Sequence, residues 1–167
     1  MFKGLDRKSF LRLCLVSGFV VSLDQVTKYI IKSNLKIYES IPVVRGFFNI
    51  VFVENPGGAF GLLANQSIII RKFVFLFLST IIAVFVLWFY KKICKEYYFL
   101  SCGIAMIFGG AVGNLIDRFR FEGRVVDFLD FYIKNHHWPA FNIADSAINI
   151  GMMILLYHII FNKISDF

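Results

Sequence analysis

Two acidic residues, Asp127 and Asp145, lie on either side of an aromatic, Pro-containing turn in the segment 124–148. No charged residue follows Asp145 between positions 146 and 161, so its carboxylate lies at the start of an apolar helix. A charge there is costly, and an ionisable residue in a membrane helix is a functional-site hypothesis by default. An acid in the first turn of a helix is also a common capping residue, so capping is the alternative interpretation of Asp145.

Two carboxylates that share a small space cannot both ionise easily, so such a pair retains one proton. One member can then take a proton from water while the other gives a proton to a carbonyl oxygen. This is hydrolysis without a nucleophilic Ser or Cys. His136, His137 and His158 have no G-x-S-x-G-like partner, and no metal-binding spacing such as H-E-x-x-H is present. The residue types therefore favour an aspartyl hydrolase.

The composition is that of an integral membrane protein. Of the 167 residues, 58% are hydrophobic and 17% are charged, and the mean hydropathy is +0.69. The formal net charge of +7 is explained by basic residues that anchor membrane spans on the cytoplasmic side, and nucleic acid binding is not supported. Cys14, Cys94 and Cys102 show neither C-x-x-C spacing nor a disulfide framework. We find no linker or repeat and predict one domain over residues 1–167.

Apolar runs predict four transmembrane helices, since about 20 apolar residues cross the hydrocarbon core. The predicted spans cover residues 10–31, 68–90, 97–116 and 141–161. Residues 47–53 are rich in β-branched and aromatic side chains and predict a strand, and residues 119–132 predict a second extended segment. The expected fold class is a membrane all-α protein with four transmembrane helices and a small extracytoplasmic β-rich segment.

Basic residues predict the orientation of the spans. They cluster before the first span, between the second and third, and after the fourth, at Lys3, Arg7, Lys8, Arg12, Lys91, Lys92, Lys95 and Lys163. We therefore expect both termini in the cytoplasm and residues 32–67 and 117–140 outside. Polar residues then converge at the outer ends of the spans: Asp24, Asn55, Asn114, Asp117, Arg118, Asp127, Asn142 and Asp145. This convergence favours a functional site, although Asp24 and Lys28 alone can form a local i,i+4 ion pair.

Five short motifs, in this order, resemble those of the bacterial lipoprotein signal peptidase family, signal peptidase II. The stretches are Asp24-Gln25-Val26-Thr27-Lys28, Asn55-Pro56-Gly57-Gly58-Ala59-Phe60, Gly113-Asn114-Leu115-Ile116-Asp117-Arg118, Val125-Val126-Asp127-Phe128 and Phe141-Asn142-Ile143-Ala144-Asp145-Ser146. The resemblance spans nearly the whole chain. It implies an aspartyl endopeptidase that removes signal peptides from prolipoproteins, cutting before a Cys that carries diacylglyceryl.

The resemblance also implies roles for individual residues, with Asp127 and Asp145 as the catalytic aspartates. Substrate binding or support of this pair is implied for Asp24, Lys28, Asn55, Gly57, Asn114, Asp117, Arg118 and Asn142. Asp130 would point to the opposite face of a strand, so we expect Asp130→Asn to be milder than a change at Asp127. The implied partners are prolipoproteins, membrane lipid and the inhibitor globomycin, with no cofactor and no metal. The implied location is the bacterial inner membrane.

A small transporter or proton-coupled channel is an alternative of a different class, because acids in membrane helices also mark ion pathways. A transport path should line both halves of the bilayer, whereas the inner halves of spans two to four contain little beyond Ser101, Asn149 and His158. A non-enzymatic assembly factor is a third possibility. It is favoured only by the small residues at 109–113, which permit close helix packing.

Overall fold

Four long helices form the framework of the protein. The computed structural model describes residues 5–56 and 66–161. Within these ranges, four helices are long and apolar enough to cross a membrane. They are α1 (Arg7–Asn34), α2 (Ile68–Ile93), α3 (Tyr98–Arg120) and α4 (Ile143–Ile160). Leu15, Phe19 and Phe73 are 70%, 68% and 72% exposed, as expected for side chains that face lipid. The four predicted membrane helices are confirmed.

Helix α3 lies at the centre of the bundle and packs against α1, α2 and α4. Its glycines make this packing possible. A Cβ atom on Gly110 would collide with the carbonyl oxygen of Ala144 at the start of α4. A Cβ atom on Gly113 would lie 2.8 Å from Oδ2 of Asp24 on α1. The prediction that small residues here permit close helix packing is therefore confirmed.

Helix α3 ends later than the sequence predicted. The predicted span stopped at residue 116 and left Asp117 and Arg118 in the outer segment, but the helix continues to Arg120. Asp117 is part of this helix and is 1% exposed, and its Oδ2 atom lies 2.9 Å from Nζ of Lys28 on α1. Pairing across two helices thus replaces the solvation that would otherwise draw this carboxylate out of the bundle.

Within the described ranges, four strands form a small antiparallel sheet in the order β1-β2-β3-β4. They are β1 (Ser40–Val44), β2 (Phe48–Asn55), β3 (Val125–Ile133) and β4 (His136–His137). The strand predicted over residues 47–53 is confirmed as β2. The second extended segment was predicted to begin at residue 119 but begins at Val125. The chain first turns through Glu122 and Gly123, whose φ angles are 55° and 85°.

An apolar cluster fixes this sheet to the end of α1. Ile31 and Leu35 are buried together with Phe52 of β2 and with Val126 and Phe128 of β3. Successive side chains of a strand point to opposite faces. Asp127 lies between Val126 and Phe128 on β3, so its side chain faces away from the apolar cluster.

Candidate active site

Asn142 connects the two aspartates that the sequence singled out. Asp127 lies on β3, and Asp145 lies in the first turn of α4. The Nδ2 atom of Asn142 donates a hydrogen bond to Oδ1 of Asp127 (2.8 Å). The backbone N–H of Asn142 donates to Oδ2 of Asp145 (3.3 Å). A single residue thus contacts both carboxylates and brings a strand and a helix together.

Asp145 is both a capping residue and a member of this site. The Oδ1 atom of Asn142 accepts a hydrogen bond from the backbone N–H of Asp145 (3.0 Å), which completes a capping box at the start of α4. The other carboxylate oxygen of Asp145, Oδ1, accepts from Nδ2 of Asn114 on α3 (2.8 Å). Capping is therefore confirmed, but it accounts for only one of the two carboxylate oxygens.

The environment of Asp127 makes its carboxyl group hard to ionise. The residue is 3% exposed. Burial, and then the negative charge of Asp145, raise the pKa of Asp127 to about 7. Hydrogen bonds from Asn142 and from Nδ2 of Asn55 (3.0 Å), and the charge of Lys28, act in the opposite direction. An acid with a pKa near neutrality can both give and take a proton at physiological pH, as general acid–base catalysis requires.

Lys28 lies at the centre of a buried ion cluster between α1 and α3. Its Nζ atom lies 2.8 Å from Oδ2 of Asp24 and 2.9 Å from Oδ2 of Asp117. It also donates a hydrogen bond to Oδ1 of Asn114 (3.0 Å). The three charged side chains are 3%, 0% and 1% exposed. The predicted i,i+4 pair between Asp24 and Lys28 is therefore confirmed, but it is not purely local, because two groups of α3 share the same ammonium.

Gln25 belongs to this cluster, although the sequence did not predict a role for its side chain. Its Nε2 atom donates to Oδ1 of Asp117 (2.9 Å), to the carbonyl oxygen of Gly113 (3.2 Å) and to Oδ2 of Asp24 (3.2 Å). The feature of the sequence that could have indicated a role for Gln25 was its position in the first motif. Adjacent residues on a helix do not face each other, so helical spacing did not predict that Gln25 and Asp24 share contacts.

Arg118 has a buried donor with no partner. In the part of the chain that the structure describes, its Nε atom has no hydrogen bond, and its Cζ atom lies 4.9 Å from the centre of the Phe75 ring. The charges of three neighbouring aspartates act on this guanidinium. Asn55, at the end of β2, contacts Asp127. Gly57, the remaining predicted site residue, lies outside the described residues.

Asp130 belongs to a different cluster on the sheet. Its Oδ2 atom accepts a hydrogen bond from Nδ2 of Asn49 (2.9 Å), and its Oδ1 atom lies 2.9 Å from Nδ1 of His137. Among the described residues, the side chains that donate hydrogen bonds to Asp127 are instead Asn55 and Asn142. The two acids of β3 thus have separate partners, as their odd spacing along a strand predicted.

The fold and the carboxylate pair define a class of protein, namely a multi-pass membrane enzyme of the aspartic type. Residues 16–161 match the sequence profile of the family described as Signal peptidase (SPase) II. The chain belongs to this family. The resemblance drawn from its five motifs is therefore confirmed.

Known relatives match the chain over most of its length. A lipoprotein signal peptidase of Desulforapulum autotrophicum is 56% identical over 162 residues, which cover 97% of this chain and 99% of the relative. One from Syntrophotalea carbinolica is 46% identical over 144 residues, covering 86% and 88%. A solved structure described as a bacterial membrane enzyme is 36% identical with a TM-score of 0.80, covering 90% of this chain and 88% of that one. Family membership decides against the transporter and assembly-factor alternatives.

Proposed function

We propose that this chain removes signal peptides from prolipoproteins, cutting the peptide bond before a Cys that carries diacylglyceryl. Relatives described as lipoprotein signal peptidases support this reaction and substrate class. The observation that carries the proposal is the hydrogen bonding of Asn142 to both aspartates in a chain of this family. Asp127 and Asp145 are the proposed catalytic pair.

The proposed pair works with one shared proton. The ionised carboxylate takes a proton from water, the water oxygen attacks the carbonyl carbon, and the protonated carboxyl gives its proton to the carbonyl oxygen. This produces a tetrahedral diol. As the C–N bond breaks, the carboxyl group that took the proton from water gives it to the leaving amine. One diol hydroxyl then returns a proton to the carboxylate that had protonated the carbonyl oxygen. The pKa of about 7 at Asp127 supports this cycle, because the pair retains a proton near neutral pH.

The other candidate residues divide into two groups. We propose that Arg118 and Gly57 contact the substrate backbone, and that Asn55 does so in addition to its hydrogen bond to Asp127. The buried Nε of Arg118, which has no hydrogen-bond partner among the described residues, is suited to donate to a substrate carbonyl. The second group supports the pair, because its members contact one another and two of them donate hydrogen bonds to the catalytic aspartates. These residues are Asp24, Lys28, Asn114, Asp117 and Asn142.

An apolar cavity between the helices supports a lipid-modified substrate. It has a volume of about 460 Å³ and lies between α1, α3 and α4, where Leu23, Met106, Ile143 and Ala147 are among its lining residues. The lining reaches the first turn of α4, which carries Asp145. Acyl chains of the substrate or of membrane lipid can occupy such a cavity from the bilayer, while water reaches the peptide bond from outside the membrane.

We infer that the chain lies in the bacterial inner membrane with both termini in the cytoplasm. Basic residues lie at the start of α1 and between α2 and α3, at Arg7, Lys8, Lys91, Lys92 and Lys95. The guanidinium of Arg12 donates a hydrogen bond to the carbonyl oxygen of Cys94, so both basic regions share one end of the bundle. Cytoplasmic loops carry the excess of Lys and Arg. The aspartate pair, at the opposite end, therefore faces outward in this proposal.

Cleavage of a diacylglyceryl-modified prolipoprotein by the purified protein in detergent tests the proposal. We expect the wild-type protein to cleave and globomycin to inhibit it. Asp127→Asn or Asp145→Asn should abolish cleavage while the protein remains inserted in the membrane, because an amide keeps the shape but cannot exchange a proton in this way. Asp130→Asn is the matched control, since it makes the same change on the same strand and should retain cleavage.

Three results would contradict these expectations. Full activity of either catalytic variant would exclude that aspartate from the pair. A folded wild-type protein that leaves the prolipoprotein intact would reject the substrate class. If Asp130→Asn lost as much cleavage activity as Asp127→Asn, the loss would come from disruption of the sheet and not from removal of a catalytic group.

A further inference from the structure

Two hydrogen bonds tie the backbone just before each proposed catalytic aspartate to the buried ion cluster. On β3, the N–H of Val126 donates to Oδ2 of Asp117 (3.1 Å). On α4, the N–H of Ala144 donates to Oδ1 of Asp24 (3.0 Å). Val126 and Ala144 are both 0% exposed, so solvent does not compete for these amides. The strand and the helix of the pair are thus anchored in the same way, one on α3 and one on α1.

Lys28 links the two anchors. Its Nζ atom lies 2.8 Å from Oδ2 of Asp24 and 2.9 Å from Oδ2 of Asp117. Its third contact is a hydrogen bond to Oδ1 of Asn114 (3.0 Å). An ammonium group has three N–H donors and no acceptor. These three contacts therefore use its full capacity and connect the supports of β3 and α4 through one atom.

Lys28 and Asn142 together determine which way the amide of Asn114 faces, since Nδ2 of Asn142 also donates to its Oδ1 atom (3.2 Å). Because an ammonium group can only donate, the atom of Asn114 that contacts it must be the carbonyl oxygen. The NH₂ group is then turned toward Asp145, where Nδ2 donates to Oδ1 (2.8 Å). Lys28 thus acts on Asp145 by two routes, one through Asn114 and the other through Asp24.

Charge neutralisation alone does not account for this arrangement. Neutralising two buried carboxylates would place Lys28 between them, but it would not require either carboxylate to accept a backbone N–H, and each of them does. The first N–H groups of a helix have no partner within the helix. Asp24 supplies that partner for Ala144 from a different helix, and this contact fixes where α4 begins relative to α1.

We propose that Lys28 is a positioning residue that sets the geometry of the catalytic pair. It holds Asp24 and Asp117, and through them the backbone that immediately precedes each catalytic aspartate. This inference rests on the proposed function, since it takes Asp127 and Asp145 as the groups that act on the peptide bond. In this role Lys28 contacts neither the substrate nor the reacting atoms.

The kinetics of an electroneutral variant test the proposal. Making Asp24→Asn, Lys28→Met and Asp117→Asn together removes the bridge without the unpaired buried charges that Lys28→Met alone would leave. A displacement of about 1 Å at a catalytic group lowers the rate by about 100-fold, so we expect kcat to fall by about 100-fold with KM nearly unchanged. Lys32→Met is the control, because Lys32 lies one turn along α1, is 28% exposed and pairs with Glu54 at 3.8 Å. It should keep the wild-type kcat.

Amide hydrogen exchange tests the bridge without any activity measurement. In the wild-type protein, the N–H groups of Val126 and Ala144 should both exchange slowly. We expect Asp117→Asn to speed exchange mainly at Val126 and Asp24→Asn to speed it mainly at Ala144. Lys28→Met should speed both, although Lys28 contacts neither amide. If Lys28→Met does not fold, the same comparison is made on the electroneutral variant.

Several outcomes would overturn the positioning role. Wild-type kcat in the folded electroneutral variant would do so, as would unchanged exchange at both amides after Lys28→Met. An electroneutral variant that cannot fold would make the cluster a folding requirement and would also overturn it. A wild-type protein that does not cleave prolipoprotein would reject the proposed function, whereas the exchange pattern would still decide whether Lys28 holds both segments.

Discussion

At the scale of single residues, Asp127 connects activity with stability. The pKa of an Asp carboxyl is ordinarily 3.8, and burial together with the charge of Asp145 raises it to about 7. The folded state therefore binds this proton more tightly than the unfolded chain does. By linkage, this carboxyl lowers the free energy of unfolding as the pH rises from about 4 to about 7, and the full penalty is present above that interval.

Asp127→Asn should weaken this pH dependence, because an amide does not ionise. Between about pH 5 and about pH 8, the Tm of the wild-type protein in detergent should fall by more than the Tm of the variant. Asp130→Asn leaves Asp127 in place and should follow the wild type. Equal falls in the wild type and in Asp127→Asn would contradict a raised pKa at Asp127.

At the scale of secondary structure elements, the crossing of α3 with its neighbours determines the distances within the site. Gly110 lies against the carbonyl oxygen of Ala144, at the start of α4. Gly113 lies against the carboxylate of Asp24, and its own carbonyl oxygen accepts a hydrogen bond from Gln25 (3.2 Å). Any side chain at these two positions would separate the helices that carry the supports of the pair.

Gly110→Ala should displace the start of α4 and impair cleavage. Overpacking of this kind costs about 1–3 kcal/mol, so the Tm should also fall. Gly18→Ala on α1 is the matched control, because a Cβ atom there meets nothing within 4 Å. Since Ala is favoured over Gly in a helix by about 1 kcal/mol, Gly18→Ala should keep cleavage and raise the Tm. A fully active Gly110→Ala protein would show that the site tolerates a larger distance between α3 and the start of α4.

At the scale of the whole molecule, polar contacts are concentrated at the two ends of the bundle. At one end, the hydroxyl of Tyr90 donates to the carbonyl oxygen of Ser9 (2.7 Å), and Arg12 contacts the carbonyl oxygen of Cys94. At the other end lie the sheet, the ion cluster and the aspartate pair. The helices between them carry apolar outward faces. This division matches a protein whose ends lie at the two surfaces of a bilayer.

Cysteine labelling in cells tests the proposed orientation. Lys95→Cys, at the basic end, and Asn135→Cys, in the turn between β3 and β4, are made in a chain whose three native cysteines are replaced by Ala. A membrane-impermeant maleimide should label Asn135→Cys in intact cells with a permeabilised outer membrane, and Lys95→Cys only after lysis. The reverse pattern would overturn the orientation, and cleavage by both variants would verify that the fold is kept.

Much of the fold is determined by the sequence alone. Each membrane helix follows from a local apolar run, and β2 follows from a local run of β-branched and aromatic residues. Asp145 was identifiable because a carboxylate beside a long uncharged segment is costly and therefore conspicuous. The five motifs then identified the family, which a profile match over residues 16–161 confirms.

The tertiary structure alone decided which polar groups pair. Lys28 has a partner four residues away in Asp24, yet it also contacts Asp117 near the end of another helix, α3. Val126 and Ala144 lie within the fourth and fifth motifs, but their apolar side chains did not predict that their backbone N–H groups support the site. The physical reason is that such hydrogen bonds depend on how helices cross, and the crossing is set by contacts between residues far apart in the chain.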